Sequence, residues 1–351
     1  MRKLVKYLLL SLNLLLVFLL AACYFVPGIN PGSFWWPSLL GLAYPYLLLL
    51  NLSFIVFWLI VSWRYLFLSL LCVGAGAGMH AQYFQLMGKH SPAEDGIRVL
   101  SYNVMSFYSF LEEKEDKPDI LDFIAMQDAD IICLQETKLQ KTGVLNPVRL
   151  KTKFPGIKHV QLAHQSQWSG PVTFTRFPIV NMGEIRFEGS NNMVIYTDVY
   201  TGEDTLRIYN CHLQSFGIRT EEYSIIDSLD FRNEQLNEVK LLGLKLRDAN
   251  RRRAAQVVEL KEHIDACRYP LIVCGDFNDT PISYTYNTIS SKLNDAFVAA
   301  GQGISNTYRG KLPPYRIDYI LYSNEFEAVS YERHRAEYSD HFPVSAVLKR
   351  K

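Results

Sequence analysis

The first ninety residues are nearly devoid of charge. No aspartate or glutamate precedes Glu94, and Arg2, Lys3, Lys6 and Arg64 are the only bases before Lys89. Such a segment cannot present an ordinary soluble surface, which needs dispersed charges of both signs. The whole chain also lacks a charge excess, with 36 bases against 35 acids. Beyond Gly88 the remaining 32 bases face all 35 acids, a formal net charge of −3. A body of that sign does not match proteins that hold nucleic acid by neutralising many phosphates with clustered Lys and Arg, although it leaves a nuclease open. The six cysteines contain no CxxC pair, so they give neither a zinc ribbon nor a clear disulfide framework. Cys133, Cys211 and Cys274 lie inside strand-like runs (DIICLQ, RIYNCHL, LIVCGD), as small core residues do. With 351 residues, 49% of them hydrophobic, the chain has room for a sizeable core and is neither disordered nor fibrous.

What fills the front is apolar. Leu8 to Val26 carries no charge and, at roughly 1.5 Å of helical rise per residue, can cross a hydrocarbon core of about 30 Å. Leu39 to Val61 is also long enough, with Trp35, Trp36, Trp58 and Trp63 placed as interfacial aromatics and Pro45 tolerated inside it. A third stretch, Tyr65 to Phe84, turns polar at His80 and Gln82, and its GAGAG segment suits close helix packing. Arg2, Lys3 and Lys6 place the N-terminus in the cytoplasm by the positive-inside rule. Three spans then put the body outside the cytoplasm, the arrangement that the near-spanning length of the third stretch favours. Two spans with a surface-lying third segment would keep the body in the cytoplasm. Leu20-Ala21-Ala22-Cys23 also resembles a bacterial lipoprotein cleavage box, against the simpler reading of a Leu/Ala-rich span.

Residues 1–88 are thus expected as a transmembrane region of two or three helices, 89–96 as a breaker-rich linker, and 97–351 as the soluble domain. In that domain IRVLSYNV, DIICLQE, PVTFTRF, MVIYTDVY, TLRIYNCHL, PLIVCGDFN, RIDYILYS and FPVSAVL read as strands. Ile120 to Gln127, Phe231 to Leu246 and Ala254 to Ala266 read as helices. Many strands with a few helices predict an α+β sandwich.

Polar residues recur at the ends of these runs, where a packed sheet holds side chains rigidly. Asn103 follows RVLSY, Glu136 follows IICLQ and His212 follows RIYNC. Asp276 and Asn278 follow LIVCG, Asp318 lies in RIDYIL, and Asp340-His341 precedes FPVSAV. Hard oxygen donors with few nitrogens and no thiolate suit Mg²⁺ or Mn²⁺ better than zinc. Each element has a plainer reading. Asn103 is a common turn residue, His212 a hydrogen-bonded strand-end imidazole, and Asp318 a salt-bridge partner for Arg316. Glu136 is harder to dismiss, since a carboxylate at a sheet end needs a partner or a metal.

The ordered series Asn, strand-end Glu, His, GDFN, RIDYIL and SDHFPV resembles the endonuclease/exonuclease/phosphatase superfamily over about Ile97 to Leu348. The resemblance implies a four-layer αββα sandwich with its active site at one end of two packed sheets. It further implies Glu136 as principal metal ligand, helped by Asn103 and Asp340, with Mg²⁺ or Mn²⁺ as the cofactor. Asp276 would orient or deprotonate the attacking water, and Asn278 would hold the phosphate or that water. Asp318 and His341 would pair so that the imidazole faces the phosphate, with His212 as a second histidine. Two departures stand out. Met105 occupies a position where abasic-site enzymes carry Asp, and Asn192 is the nearest counterpart of the Glu that braces the second histidine in deoxyribonuclease-like members.

Between His212 and GDFN lies a long connection carrying Lys240, Lys245, Arg247 and Arg251-Arg252-Arg253. These read first as a solvated helix face, and second as a cap over the cleft that meets anionic groups. The expectation is a membrane-anchored, metal-dependent phosphoester hydrolase whose partners are its substrate and the lipid bilayer, with lipid headgroups or small phosphodiesters as substrates. The alternatives are a membrane-tethered nuclease, less favoured by the charge balance, and a non-catalytic binding module of the same fold. Nothing in the sequence points to a protein partner.

Overall fold

The computed structural model describes residues 3–89, 96–107, 119–142, 144–163, 169–217, 233–310 and 313–351. Most of the expected linker, residues 90–95, lies outside them. Among the described residues, two helices are long and apolar enough to cross a membrane: α1 (Lys3–Cys23) and α2 (Pro37–Val61). They lie antiparallel, since Lys6 Nζ donates to Ser62 Oγ at one end (3.1 Å) and Cys23 Sγ to the Leu40 carbonyl at the other (3.3 Å). A helix α3 (Leu66–Ala75) returns beside α1, with Asn13 Nδ2 donating to Ser69 Oγ (2.7 Å). Asn13, Asn51, Ser69 and Trp58 are fully buried and bonded to one another. A polar cluster among apolar helices fixes their register because no unpaired donor is tolerated there.

The third stretch does not form a helix of spanning length. At 10 residues α3 is about 15 Å long, half of what a bilayer core needs. It stops at Gly76, where a Cβ would meet the Tyr24 hydroxyl at 2.4 Å, and a single turn, Ala77–His80, follows. His80, the residue that made this stretch polar, sits against Tyr44 (Nδ1 to hydroxyl 2.5 Å) with Nε2 2.7 Å from the Val73 carbonyl. The length argument for three spans therefore fails. Cys23 closes α1, buried, with its thiol on the carbonyls of Leu19 and Leu40.

The strands are β1 (Phe84–Gln85), β2 (Ile97–Asn103), β3 (Ile131–Lys138), β4 (His159–Leu162), β5 (Ser169–Thr175), β6 (Ile179–Arg186) and β7 (Met193–Tyr200). They continue with β8 (Thr205–His212), β9 (Leu271–Asp276), β10 (Asn294–Asp295), β11 (Gly303–Ile304), β12 (Asp318–Tyr322), β13 (Phe326–Arg333) and β14 (Val344–Arg350). One sheet has the order β13-β14-β2-β3-β5-β4 and the other β10-β12-β9-β8-β7-β6. In each, the central pair alone is parallel, β2 with β3 and β8 with β9. Parallel neighbours end on the same side, so these two pairs bring four C-terminal strand ends to one edge of the sandwich.

Val99, Ile131, Cys133, Ile208, Ile272, Cys274, Ile320 and Val344 fill the space between the sheets. The helix Ile120–Met126 covers the outer face of one sheet, and the long helix Asn233–Asp265 covers the other through Val257, Leu260 and Ile264. The result is the expected mixed α+β architecture of two packed sheets with helices outside. The connection between residues 246 and 254, expected to separate two helices, is helical throughout.

The apolar hairpin docks onto this body. Ile282 packs with Leu16, Leu20, Tyr44 and Leu47. A Cβ on Gly41 would lie 2.2 Å from the Ile282 carbonyl oxygen, so only glycine permits this approach. Polar contacts secure the joint. Asn287 Nδ2 donates to the Pro27 carbonyl (3.1 Å), the Tyr315 hydroxyl to the Leu42 carbonyl (3.1 Å) and Arg316 Nη1 to the Gln82 carbonyl (2.9 Å).

Candidate active site

Strand register explains why residues far apart in sequence meet. Asn103 lies opposite Gln135 in the parallel pair, which brings it beside Glu136, and His212 lies opposite Asp276. Asp318 opens β12 opposite Asp276, and Asp340-His341 stands just before β14 at the same edge. Two local devices aim the carboxylates. Glu136 sits in a register shift of β3 between Leu134 and Thr137, with φ of +50°. A left-handed glutamate in a bulge costs backbone energy and is held where its side chain is needed. Gly275, with φ of +128°, lets β9 approach β8 so closely that a Cβ would lie 2.1 Å from the Cys211 carbonyl oxygen.

The side chains form one network. Asn103 Nδ2 donates to Glu136 Oε1 (3.1 Å) and Asp276 Oδ2 (3.0 Å). Asp276 also accepts the Asn278 backbone N–H (2.8 Å) and its Nδ2 (3.1 Å). His341 Nδ1 meets Asp318 Oδ2 at 2.9 Å, and its Nε2 lies 3.8 Å from Asp276 Oδ2. His212 Nε2 is 3.2 Å from Glu136 Oε1, close enough for an ion pair but not aligned as a hydrogen bond. Glu136, His212 and Asp276 thus offer ligand atoms within 4.8 Å of one another, as do Asp276, Asp318 and His341. Asp340 lines the same cleft as Glu136 and Asp276 but stands outside both tight groups. One Asp318 oxygen is buried without a hydrogen-bond partner, which leaves this carboxylate with acceptor capacity to spare beside His341.

Other expectations resolve differently. Arg316 does not pair with Asp318; both of its bonds at 2.6 Å go to Asp295. Asn192 does not brace His212, because its amide donates to the Leu213 carbonyl (3.0 Å). The basic run is not uniformly solvated. Arg251 and Arg252 are exposed, whereas Arg253 is fully buried, its Nε on the Gln214 carbonyl (2.8 Å) and Nη1 2.9 Å from Asp279. Residues 218–232 of that connection lie outside the described residues.

Sequence reasoning missed Leu42, Phe216, Tyr308 and Tyr315, which line the cleft of about 210 Å³ around these groups. Tyr308 bridges to His341 in a short antiparallel contact and packs edge-on against its ring. Only Tyr315 carried a signal, its place two residues before Ile317-Asp318.

Burial alone would raise the Glu136 carboxyl, but His212, Asn103 and His341 more than offset it and hold it down to about 2. Asp276 moves the other way. Its burial dominates, opposed by His341 and reinforced by the Asp318 charge, and pushes it up to about 6. Burial pushes His341 down, yet Asp318 and Asp276 outweigh it and hold the imidazole protonated up to about 10. His212 is likewise raised, by Glu136 against its own burial.

A stability consequence follows for His341. A group whose folded value exceeds its ordinary 6.5 contributes stability that is complete below pH 6.5 and is lost as pH rises through about 10. In metal-free protein the melting temperature should therefore fall between pH 6.5 and 10, and His341→Gln should flatten that slope. An unchanged slope in the variant, measured by calorimetry in detergent, would contradict the buried charge pair.

A family model described as the endonuclease/exonuclease/phosphatase family matches residues 100–341, well over half of the chain. The chain belongs to the endonuclease/exonuclease/phosphatase family. Its members include phosphatases and nucleases, all phosphoester hydrolases. A second family model, for a domain of unknown function, matches residues 6–83 and so covers the apolar front. Among solved structures, a functionally unknown conserved protein from Enterococcus faecalis is 16% identical with a TM-score of 0.52, covering 73% of this chain and 100% of that one. The human Nocturnin catalytic domain with bound sulfate is 21% identical with a TM-score of 0.51, covering 73% of this chain and 95% of that one. An endonuclease/exonuclease/phosphatase from Bacteroides vulgatus is 15% identical with a TM-score of 0.50, covering 74% and 100%. At these identities the likeness establishes the fold. No curated protein matches the chain.

Proposed function

We propose that this family member is a membrane-anchored, divalent-metal-dependent phosphoester hydrolase. The observation that carries the reading is Glu136, held ionised at a strained left-handed position within reach of His212 and Asp276. A carboxylate held ionised at a strained position is what a bound cation explains. Glu136, with Asp340 in the same cleft, would hold the ion, while Asn103, expected as a further ligand, turns its NH2 to Glu136 and Asp276 and its oxygen to the Met105 N–H; carboxylate oxygens favour Mg²⁺ or Mn²⁺. When bound, the ion supplies neutralisation of charge on the phosphoryl oxygens.

The chain's own groups then divide the work. Asp276, poised near neutrality and fixed by Asn103 and Asn278, takes the proton of the attacking water. His341, oriented by Asp318 and cationic at neutral pH, faces the developing negative charge, and His212 adds a second positive group. Asn278 positions the base, its amide tied between Asp276 and the Leu213 carbonyl.

A nuclease is the second reading. It is favoured by a second pocket that shares Tyr308 with the cleft and is lined by Arg309, Arg333 and Arg335, with two of these guanidiniums stacked on Phe342. The test is hydrolysis by the full chain of a panel of phosphomonoesters, phosphodiesters, phospholipids and DNA, with Mg²⁺ or Mn²⁺ and with chelator. Turnover that requires the ion supports the hydrolase, and DNA as the preferred member selects the second reading. A folded protein that turns over nothing and binds neither ion would leave the non-catalytic module.

A further inference from the structure

The catalytic cleft is not built from the soluble domain alone. Among the residues that line it, with Glu136, Asp276 and His341, is Leu42, in the second turn of α2. Beside it stands Tyr315, whose hydroxyl donates to the Leu42 carbonyl, and Phe216 and Ile317 line the same cleft. An apolar helix long enough to cross a membrane thus forms part of the active-site wall.

This wall is fixed. Gly41, the neighbour of Leu42, is seated on the Ile282 backbone at a distance that admits no side chain. The bonds from Asn287 to Pro27 and from Tyr315 to Leu42 tie the hairpin to the body, and Arg316 ties down Gln82, after the third apolar stretch. The same end of the hairpin is ringed by exposed aromatics: Phe25, Phe34, Trp36 and Tyr46. Aromatic side chains of this kind mark the headgroup level of a bilayer. The carboxylate and histidine groups therefore sit beside an apolar surface that runs from the cleft along α2.

We infer that the substrate is an amphiphilic phosphoester held in the bilayer, its phosphate at the Asp276 and His341 groups and its acyl portion against Leu42 and α2. This rests on the reading of the chain as a membrane-anchored phosphoester hydrolase and adds the substrate class. A free sugar phosphate would gain nothing from an apolar helix at the phosphate site, and a nucleotide has only its base to set against one, whereas an acyl chain can follow α2 along its length.

The full chain would be reconstituted in phosphatidylcholine vesicles containing, in turn, phosphatidic acid, phosphatidylglycerol or a phosphatidylinositol phosphate. Headgroup or phosphate release with Mg²⁺ would be compared with hydrolysis of the same compounds after deacylation. For at least one pair, the acylated form should show a KM at least about tenfold lower, the scale of one well-buried apolar group. Leu42→Gln should shrink that ratio toward one through KM, not kcat, and Leu42→Met should keep it. Deacylated compounds or DNA turned over as well as the lipids would overturn this inference and leave the hydrolase reading standing, as would an undiminished ratio in Leu42→Gln. No metal-dependent turnover of any substrate would remove the hydrolase reading itself.

Discussion

Replacing Asp276 with asparagine should lower turnover at least about a hundredfold, the usual scale for a lost general base. The carboxylate is buried, raised to about 6, and surrounded by donors from Asn103 and Asn278. An amide of the same shape cannot accept the water's proton, and its NH2 must face a donor. Stability should change little. Because the folded carboxyl has a higher proton affinity than the unfolded one, its ionised form above pH 6 costs the fold stability. A neutral amide relieves that cost, which offsets the contact it inverts, so the net change should stay within about 1 kcal/mol. His341→Ala should bring a comparable fall in rate by removing the cation that Asp318 orients. Assays on the preferred substrate of the panel, with melting curves alongside, separate the two effects. Near wild-type rates in both variants would refute the site.

Much of this arrangement is legible in the sequence because both of its signals are local. Runs such as IICLQ and LIVCG are central strands, apolar on two faces, and a polar residue at the end of such a run has one place to go, the rim. Every strand recognised this way is present. Strands β4, β6 and β13 escaped because they are sheet edges. Sequences such as IVNMGEIR and FEAVSYER keep charge on their open sides, which protects an edge and hides the strand. Arg253 was hidden in a row of three arginines, since only the helix phase decides which of them turns inward. The bulge that aims Glu136 leaves no composition signal, and neither does the docking of α2. Leu42 looks like any other leucine in an apolar helix until Gly41 is seen against Ile282. The third apolar stretch misled by length, because Gly76 divides it and His80 is paired inside.

Glu136→Gln should abolish the stabilisation that a divalent ion confers, and with it at least about a hundredfold in turnover. In the wild type, an ion that binds only the folded state at a hundred times its Kd raises stability by about 2.7 kcal/mol. Glu136 is the carboxylate best suited to generate that increment, since it is held ionised down to about pH 2, whereas Asp276 is pushed toward its protonated form. Glutamine keeps the volume and one acceptor oxygen, so the bond from Asn103 can survive. What is lost is the negative charge, and with it the attraction for the ion. The same change removes the partner of His212, whose proton affinity should fall toward that of a buried, unpaired imidazole. Melting curves with and without Mg²⁺ or Mn²⁺ read the first effect without any substrate, and NMR titration of the histidines reads the second. An ion-dependent rise in melting temperature equal to that of the wild type would place the cation elsewhere; among the described residues Asp276, Asp318 and His341 form the second group of side chains close enough together to hold one.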